Sequence, residues 1–139
     1  MTTRGIRGAI TTEINSPQAI LHATKTLLTE ILETNPALIA DDIASILFTV
    51  TTDLNAAHPA QAARQLGWSH VPLMCFQEIP VPDSLPRCIR VLVHWNTDLP
   101  QYAINHVYLG EAAILRPDLA QPFSSTHPSA SKSANFPIR

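Results

Sequence analysis

The stretch "CIRVLVHW", residues 88–95, alternates along its length with a period of two and predicts a strand. Alternation puts Ile89, Val91, Val93 and Trp95 on one face and Cys88, Arg90, Leu92 and His94 on the other. The first face asks for a covering layer, while the second carries a guanidinium among apolar and weakly polar neighbours. Charged residues make up only 14% of the 139-residue chain, so an arginine inside a strand needs a reason. One such residue ordinarily snorkels to solvent at a sheet edge. Arg7 in "RGIRGAITTE" (4–13) and Arg116 at the end of "AILRP" repeat the pattern, and three in one small domain are harder to attribute to snorkelling.

Outward from that strand, the chain divides into short elements. Residues 4–13 predict a first strand, in which Gly5 and Gly8 allow a close approach to the backbone. In "NSPQAILHATKTLLTEILETNP", Ser16 suits the N-cap and Pro17 the first helical position. Ile20, Leu21, Thr24, Leu27, Leu28, Ile31 and Leu32 recur with helical period, and Asn35-Pro36 stops the helix. "IASILFTVT" (43–51) predicts a buried second strand. "DLNAAHPAQAARQLG" predicts a short helix capped by Asp53 or Asn55, ended by Gly67 and presenting Arg64 near its C-terminus.

Residues 71–79 and 88–96 predict two further strands joined by a proline-rich connection, "LPQYAIN" a helical turn, and 106–119 two short strands hinged at Gly110. The expected fold is α+β, a mixed sheet covered by one long and one short helix, in a single domain over residues 1–119. Residues 120–139, rich in Ser, Pro and Ala without apolar period, predict a flexible or disordered tail.

Composition narrows the function. Net charge is −2 with no basic run, which argues against nucleic acid as a partner. Apolar stretches are too short to span a membrane and no secretory leader opens the chain, so a cytoplasmic protein without a membrane partner is expected. Cys75 and Cys88 lack C-x-x-C spacing and predict free thiols. The six histidines have no metal-ligand spacing, no G-x-S-x-G is present, and the G-x-x-G of "GIRG" lies in a strand, so neither a metal nor a nucleophilic triad is expected. Seven of the nine Lys and Arg residues are Arg, a bias that suits planar recognition of carboxylates or phosphates.

Glu78 and Cys75 decorate the 71–79 strand, and Tyr108 in "HVYL" predicts a half-buried ring with a solvated hydroxyl. Glu78 can pair with Arg90 across a hairpin or accept a hydrogen bond from a ligand hydroxyl. Converging arginines are too costly to bury unpaired, so an anionic partner is expected, and a small compound with two carboxylates fits the count.

The stretches "RGIRGAIT", "DLNAAHPAQAAR", "GWSHVPLMCFQEI", "LPRCIRVLVHWN" and "HVYLGEAAILRPDL", in order from Arg4 to Leu119, resemble the monofunctional chorismate mutases of the AroH class. The resemblance implies a homotrimer forming a pseudo-α/β barrel, with active sites in clefts between subunits. It implies the Claisen rearrangement of chorismate to prephenate in the shikimate pathway, toward phenylalanine and tyrosine, without cofactor or covalent intermediate.

By resemblance, Arg90 donates to the ether oxygen and a carboxylate. Arg7 and Tyr108 hold the side-chain carboxylate, and Glu78 with the Cys75 region receives the ring hydroxyl. Arg64 and Arg116 stand near the entrance, and His58, Leu73, Met74 and Leu115 complete the substrate-binding set. His58 stands where the family usually has Phe, which implies a more polar pocket wall. Asp83 stands in a turn where Gly is common, and Phe76 is bulkier than the family pattern. Readings from other classes are a non-catalytic trimer that grips a carboxylate metabolite and a small trimeric enamine or imine deaminase.

Overall fold

A computed structural model describes residues 1–118. It contains strands β1 (Thr2–Thr11), β2 (Ile43–Val50), β3 (Leu73–Gln77), β4 (Cys88–Thr97) and β5 (Val107–Tyr108), and helices α1 (Pro17–Thr34) and α2 (Ala60–Gln65). The strands form one sheet in the order β3-β2-β4-β1-β5. β4 is central and antiparallel to both β1 and β2, whereas β3 runs parallel to β2 and β5 parallel to β1. The expected α+β class with a mixed sheet is borne out. The tail expected over 120–139 lies outside the described residues.

The alternation of β4 organises the core. Ile89, Val91, Val93 and Trp95 are at most 2% exposed and pack with Ile6 and Ile10 of β1, Ile46 and Phe48 of β2, and Ile20, Leu27, Leu28 and Ile31 of α1. Each such side chain contributes about 1.5–3 kcal/mol when taken fully out of water. Gly8 lets α1 lie this close, because a Cβ there would come within 3.1 Å of Ile31 Cδ1 and Val91 Cγ1 and within 3.2 Å of Leu27 Cδ1.

Both ends of α1 are secured by side chains. Ser16 Oγ accepts from the Ala19 amide at 3.1 Å and Pro17 occupies the first turn. At the other end Asn35 Nδ2 donates to the carbonyls of Ile31 (3.0 Å) and Asn105 (2.9 Å), and the Asn105 amide donates back to Asn35 Oδ1 at 3.0 Å. The helix end is thereby tied to the segment that leads into β5.

Three expectations need correction. Neither Asp53 nor Asn55 caps α2, which starts after Pro59 without a side-chain cap. Longer-range donors win the competition for both residues: Asp53 accepts the Arg87 amide at 3.0 and 3.1 Å, and Asn55 is bonded to Asn15 through its side chain and its amide. β3 and β4 do not form a hairpin, because β2 lies between them and α2 carries the crossover that makes β3 parallel to β2.

The third correction concerns residues after β5. Among the described residues no second strand follows, since Gly110 adopts φ +61° and starts a 3₁₀ turn over Gly110–Ile114. Arg116 therefore lies beyond a turn and not in a strand. Thr11 Oγ1 accepts the Glu111 amide at 3.1 Å, and Ala112 packs on Ala9, Cys88 and Tyr108.

Candidate active site

The sheet face opposite α1 carries the charged residues. In register with Arg90 of β4 stand Thr49 of β2 and Ala9 of β1, while Arg7 pairs with Leu92 and Tyr108 of β5 stands beside Ala9. Paired residues share a face, so Arg7, Thr49, Arg90, Leu92 and Tyr108 all project to the same side. One corner is closed by Ala112 and Leu115 over Tyr108. Toward β3 the face is open, with Met74 58% and Phe76 44% exposed.

Glu78 reaches this face from just beyond β3. Its amide donates to the Val50 carbonyl at 2.8 Å, which carries the β2–β3 pairing one residue further and aims the carboxylate across β2. There Oε2 takes Arg90 Nη1 at 2.9 Å and Thr49 Oγ1 at 2.6 Å. The pairing expected between Glu78 and Arg90 exists, across an intervening strand and not across a hairpin. Both side chains are mostly buried, at 20% exposure for Arg90 and 24% for Glu78. Arg7, Leu47, Thr49, Glu78, Arg90, Val91 and Leu92 line a shallow depression of about 200 Å³.

The electrostatics of the depression are unbalanced. Burial pushes the Glu78 carboxyl up, but the bonds from Thr49 and Arg90 and the charges of Arg90 and Arg7 outweigh it and hold its pKa below the ordinary value. Glu78 is thus ionised at neutral pH and can only accept. Two guanidinium groups face this one carboxylate, and among the described residues no carboxylate pairs with Arg7.

Tyr108 is 1% exposed, more deeply buried than its sequence context predicts, because the 110–114 turn folds over it. Burial raises its pKa against the opposing charges of Arg7, Arg116 and Arg90, so the phenol stays protonated. Its hydroxyl is buried with no hydrogen-bond partner among the described residues. A surplus positive charge beside an unsatisfied donor is an arrangement that binds an anion.

Other residues expected at the site divide by position. Leu115 packs on the Tyr108 cluster, and Arg116 forms a two-point pair with Asp118, Nη2–Oδ2 at 3.0 Å and Nε–Oδ1 at 3.2 Å. Met74 shares the face of Arg90, whereas Leu73 and Cys75 stand in register with Ile46 and Phe48 and pack against the core. Cys75 also lines a separate depression of about 360 Å³ with His58, and Arg64 lies exposed in the last turn of α2. One chain therefore gathers Arg7, Glu78, Arg90 and Tyr108, with Leu115 and Arg116 alongside and Met74 on the same face. It leaves His58, Arg64, Leu73 and Cys75 apart from them.

Sequence reasoning missed Thr49. Its signal was a hydroxyl inside the apolar run "ILFTV", which acquires meaning only once the register sets it beside Arg90.

The profile of the family described as chorismate mutase type I matches residues 3–119. The chain belongs to the type I chorismate mutase family. It is 57% identical over 116 residues to "Chorismate mutase AroH" of Thermus thermophilus, covering 84% of this chain and 95% of the relative. It is 46% identical over 121 residues to "Chorismate mutase AroH" of Bacillus subtilis strain 168, covering 86% and 94%. A solved chorismate mutase from Clostridium thermocellum superposes with a TM-score of 0.77 at 52% identity, covering 79% of this chain and 97% of that one. This protein is a chorismate mutase. Among the described residues, no helix is long and apolar enough to cross a membrane.

Proposed function

We propose that Arg90, Glu78, Arg7 and Tyr108 are the residues with which this chorismate mutase rearranges chorismate to prephenate, at a site completed by a neighbouring subunit. The reaction needs no acid, base or nucleophile from the protein. It needs the enolpyruvyl side chain held over the ring and a donor where negative charge develops on the ether oxygen as the C–O bond breaks. Arg90 supplies that donor. Its Nη1 is committed to Glu78, which fixes the plane of the guanidinium and leaves the remaining N–H groups to point at the ligand.

Arg7 and the Tyr108 hydroxyl hold the side-chain carboxylate, and the phenol's lack of a partner among the described residues is the observation that favours a bound anion there. Glu78 Oε1 accepts from the ring hydroxyl, since the bonds to Arg90 and Thr49 both fall on Oε2.

A homotrimer fits what one chain leaves open. The Arg90 face is bare toward β3, with Met74 and Phe76 exposed, while His58, Arg64, Leu73 and Cys75 stand elsewhere on the same subunit. Packing copies of the sheet edge to edge covers that apolar strip and delivers the second set of residues to the first, with Arg64 and Arg116 flanking the entrance. We place the protein in the cytoplasm, where its two unpaired cysteines stay reduced.

The observation that carries the reading is the Thr49–Glu78–Arg90 chain of hydrogen bonds on the sheet face opposite α1. Loss of chorismate diene absorbance, followed by acid conversion of the product to phenylpyruvate, tests it. Turnover above the spontaneous rate by a particle three chains in mass by light scattering is expected. A monomer with full activity would refute the shared site.

A further inference from the structure

Before β5 begins, no strand among the described residues lies on the outer edge of β1, yet the amides of Gly5 and Arg7 need partners there. Continuing the parallel register of Gly8 with Val107 and Ala9 with Tyr108 would give the Arg7 amide the Asn105 carbonyl as its acceptor. That carbonyl already accepts from Asn35 Nδ2. The Arg7 amide donates instead to His106 Nδ1 at 2.9 Å. Two residues earlier Gln101 makes the equivalent substitution, taking the Gly5 amide on Oε1 at 3.0 Å and returning Nε2 to the Gly5 carbonyl at 2.8 Å. Side chains thus stand in for a missing strand, and one of them grips the backbone of Arg7.

We propose that His106 is the positioning residue of Arg7: its Nδ1 fixes the β1 backbone at that residue and so aims the guanidinium that holds the substrate carboxylate. The inference rests on the role given above to Arg7. An amide N–H is always the donor, so Nδ1 must be bare and the ring must be the neutral Nε2–H tautomer. A second proton would put N–H against N–H and release the strand. Among the described residues, the charged groups around the ring are Arg7 on β1 and Arg116 and Asp118 beyond the 110–114 turn, while Asn35 and Asn105 on the α1 side are neutral. Burial, then the charges of Arg7 and Arg116, lower the pKa of His106, with Asp118 partly opposing them, so the grip holds at neutral pH and fails on the acid side.

Two substitutions separate positioning from mere structure. His106→Asn keeps an acceptor where Nδ1 was and cannot titrate, whereas His106→Leu has no acceptor. Steady-state kinetics with chorismate from pH 5 to 8, with thermal melts and Arg7→Ala as reference, should show three results. His106→Leu raises KM about fivefold to tenfold at neutral pH with little change in kcat, in the direction of Arg7→Ala. His106→Asn keeps the wild-type KM at neutral pH. The wild type loses kcat/KM as pH falls below the imidazole range, and His106→Asn does not lose it there; Glu78 titrates lower and leaves a separate limb in both.

A folded His106→Leu protein with wild-type KM would overturn the proposal while leaving Arg7 in its role, provided Arg7→Ala is impaired. Wild-type KM in Arg7→Ala would overturn the proposal together with the role of Arg7. Should His106→Leu fail to fold, an unaltered acid limb in His106→Asn refutes the proposal and its disappearance supports it.

Discussion

Replacing Thr49 by valine removes one oxygen from the site and little else. Valine has nearly the same shape and suits a strand, so β2 keeps its pairing with β3 and β4. What disappears is the 2.6 Å bond from Oγ1 to Glu78 Oε2, one of the two bonds that fix the carboxylate. A hydrogen bond to a charged acceptor contributes about 1.5–3 kcal/mol when well shielded, and one between neutral groups about 1 kcal/mol. Glu78 is 24% exposed, so water replaces part of the lost bond and a value of about 1–1.5 kcal/mol is the reasonable expectation. If that fixation is expressed in the transition state, kcat/KM falls about tenfold, because each 1.36 kcal/mol is one decade.

The pH dependence carries a second signature of the same bond. Thr49 donates to the ionised carboxylate and is one of the groups that hold the Glu78 pKa down against burial. Without it the pKa rises, and the acid limb of kcat/KM belonging to Glu78 moves to higher pH. The assay is a pH series of kcat/KM on Thr49→Val and wild type, with Thr49→Ser as the variant that restores the donor. Unchanged rate and unchanged acid limb in a folded Thr49→Val protein would show that Glu78 is not held through Thr49.

Gly8→Ala places a methyl about 3.1 Å from Ile31 and Val91, and overpacking of this kind costs about 1–3 kcal/mol, visible as a lower urea midpoint at unchanged m. Stability should also fall with acid. Glu78 and His106 both have folded pKa values below their ordinary ones, so between the two values the unfolded chain binds more protons. Their contribution is complete above the unfolded pKa and is lost as pH drops through the folded one, first in the imidazole range and then in the carboxylate range. Melting temperatures at fixed protein concentration from pH 7.5 to 4 check this, and a flat profile contradicts it.

Elements determined by neighbours in the chain were legible from residue order. The alternation of residues 88–95 set the buried and polar faces of β4, and Ser16-Pro17 with Asn35 bounded α1 within a residue. What escaped depended on distant partners. Asp53 has the chemistry of a helix cap, but an amide 34 residues away claims it. The partner of β3 is decided by the α2 crossover, and nothing within residues 71–79 distinguishes β2 from β4 as a neighbour.

The candidate site was legible for a related reason: charges in apolar stretches are conspicuous, which singled out Arg7, Glu78 and Arg90 before any geometry was known, along with Arg116, which lies beyond a turn and not in a strand. Thr49 and His106 are ordinary in type, and their contacts arise only from register between strands far apart in sequence. His58, Arg64, Leu73 and Cys75 entered the site only through the family resemblance, and their proposed partners lie on another copy of the chain.

The central claim is that a guanidinium fixed on a bare sheet face stabilises the charge that develops as chorismate rearranges. Its most direct test is the turnover of Arg90→Ala, measured beside wild type on protein whose melt and oligomeric state are unchanged. Loss of such a preorganised donor lowers kcat by about two to three orders of magnitude, with a smaller effect on KM. An Arg90→Ala protein that keeps its kcat within a few-fold of wild type would contradict the account.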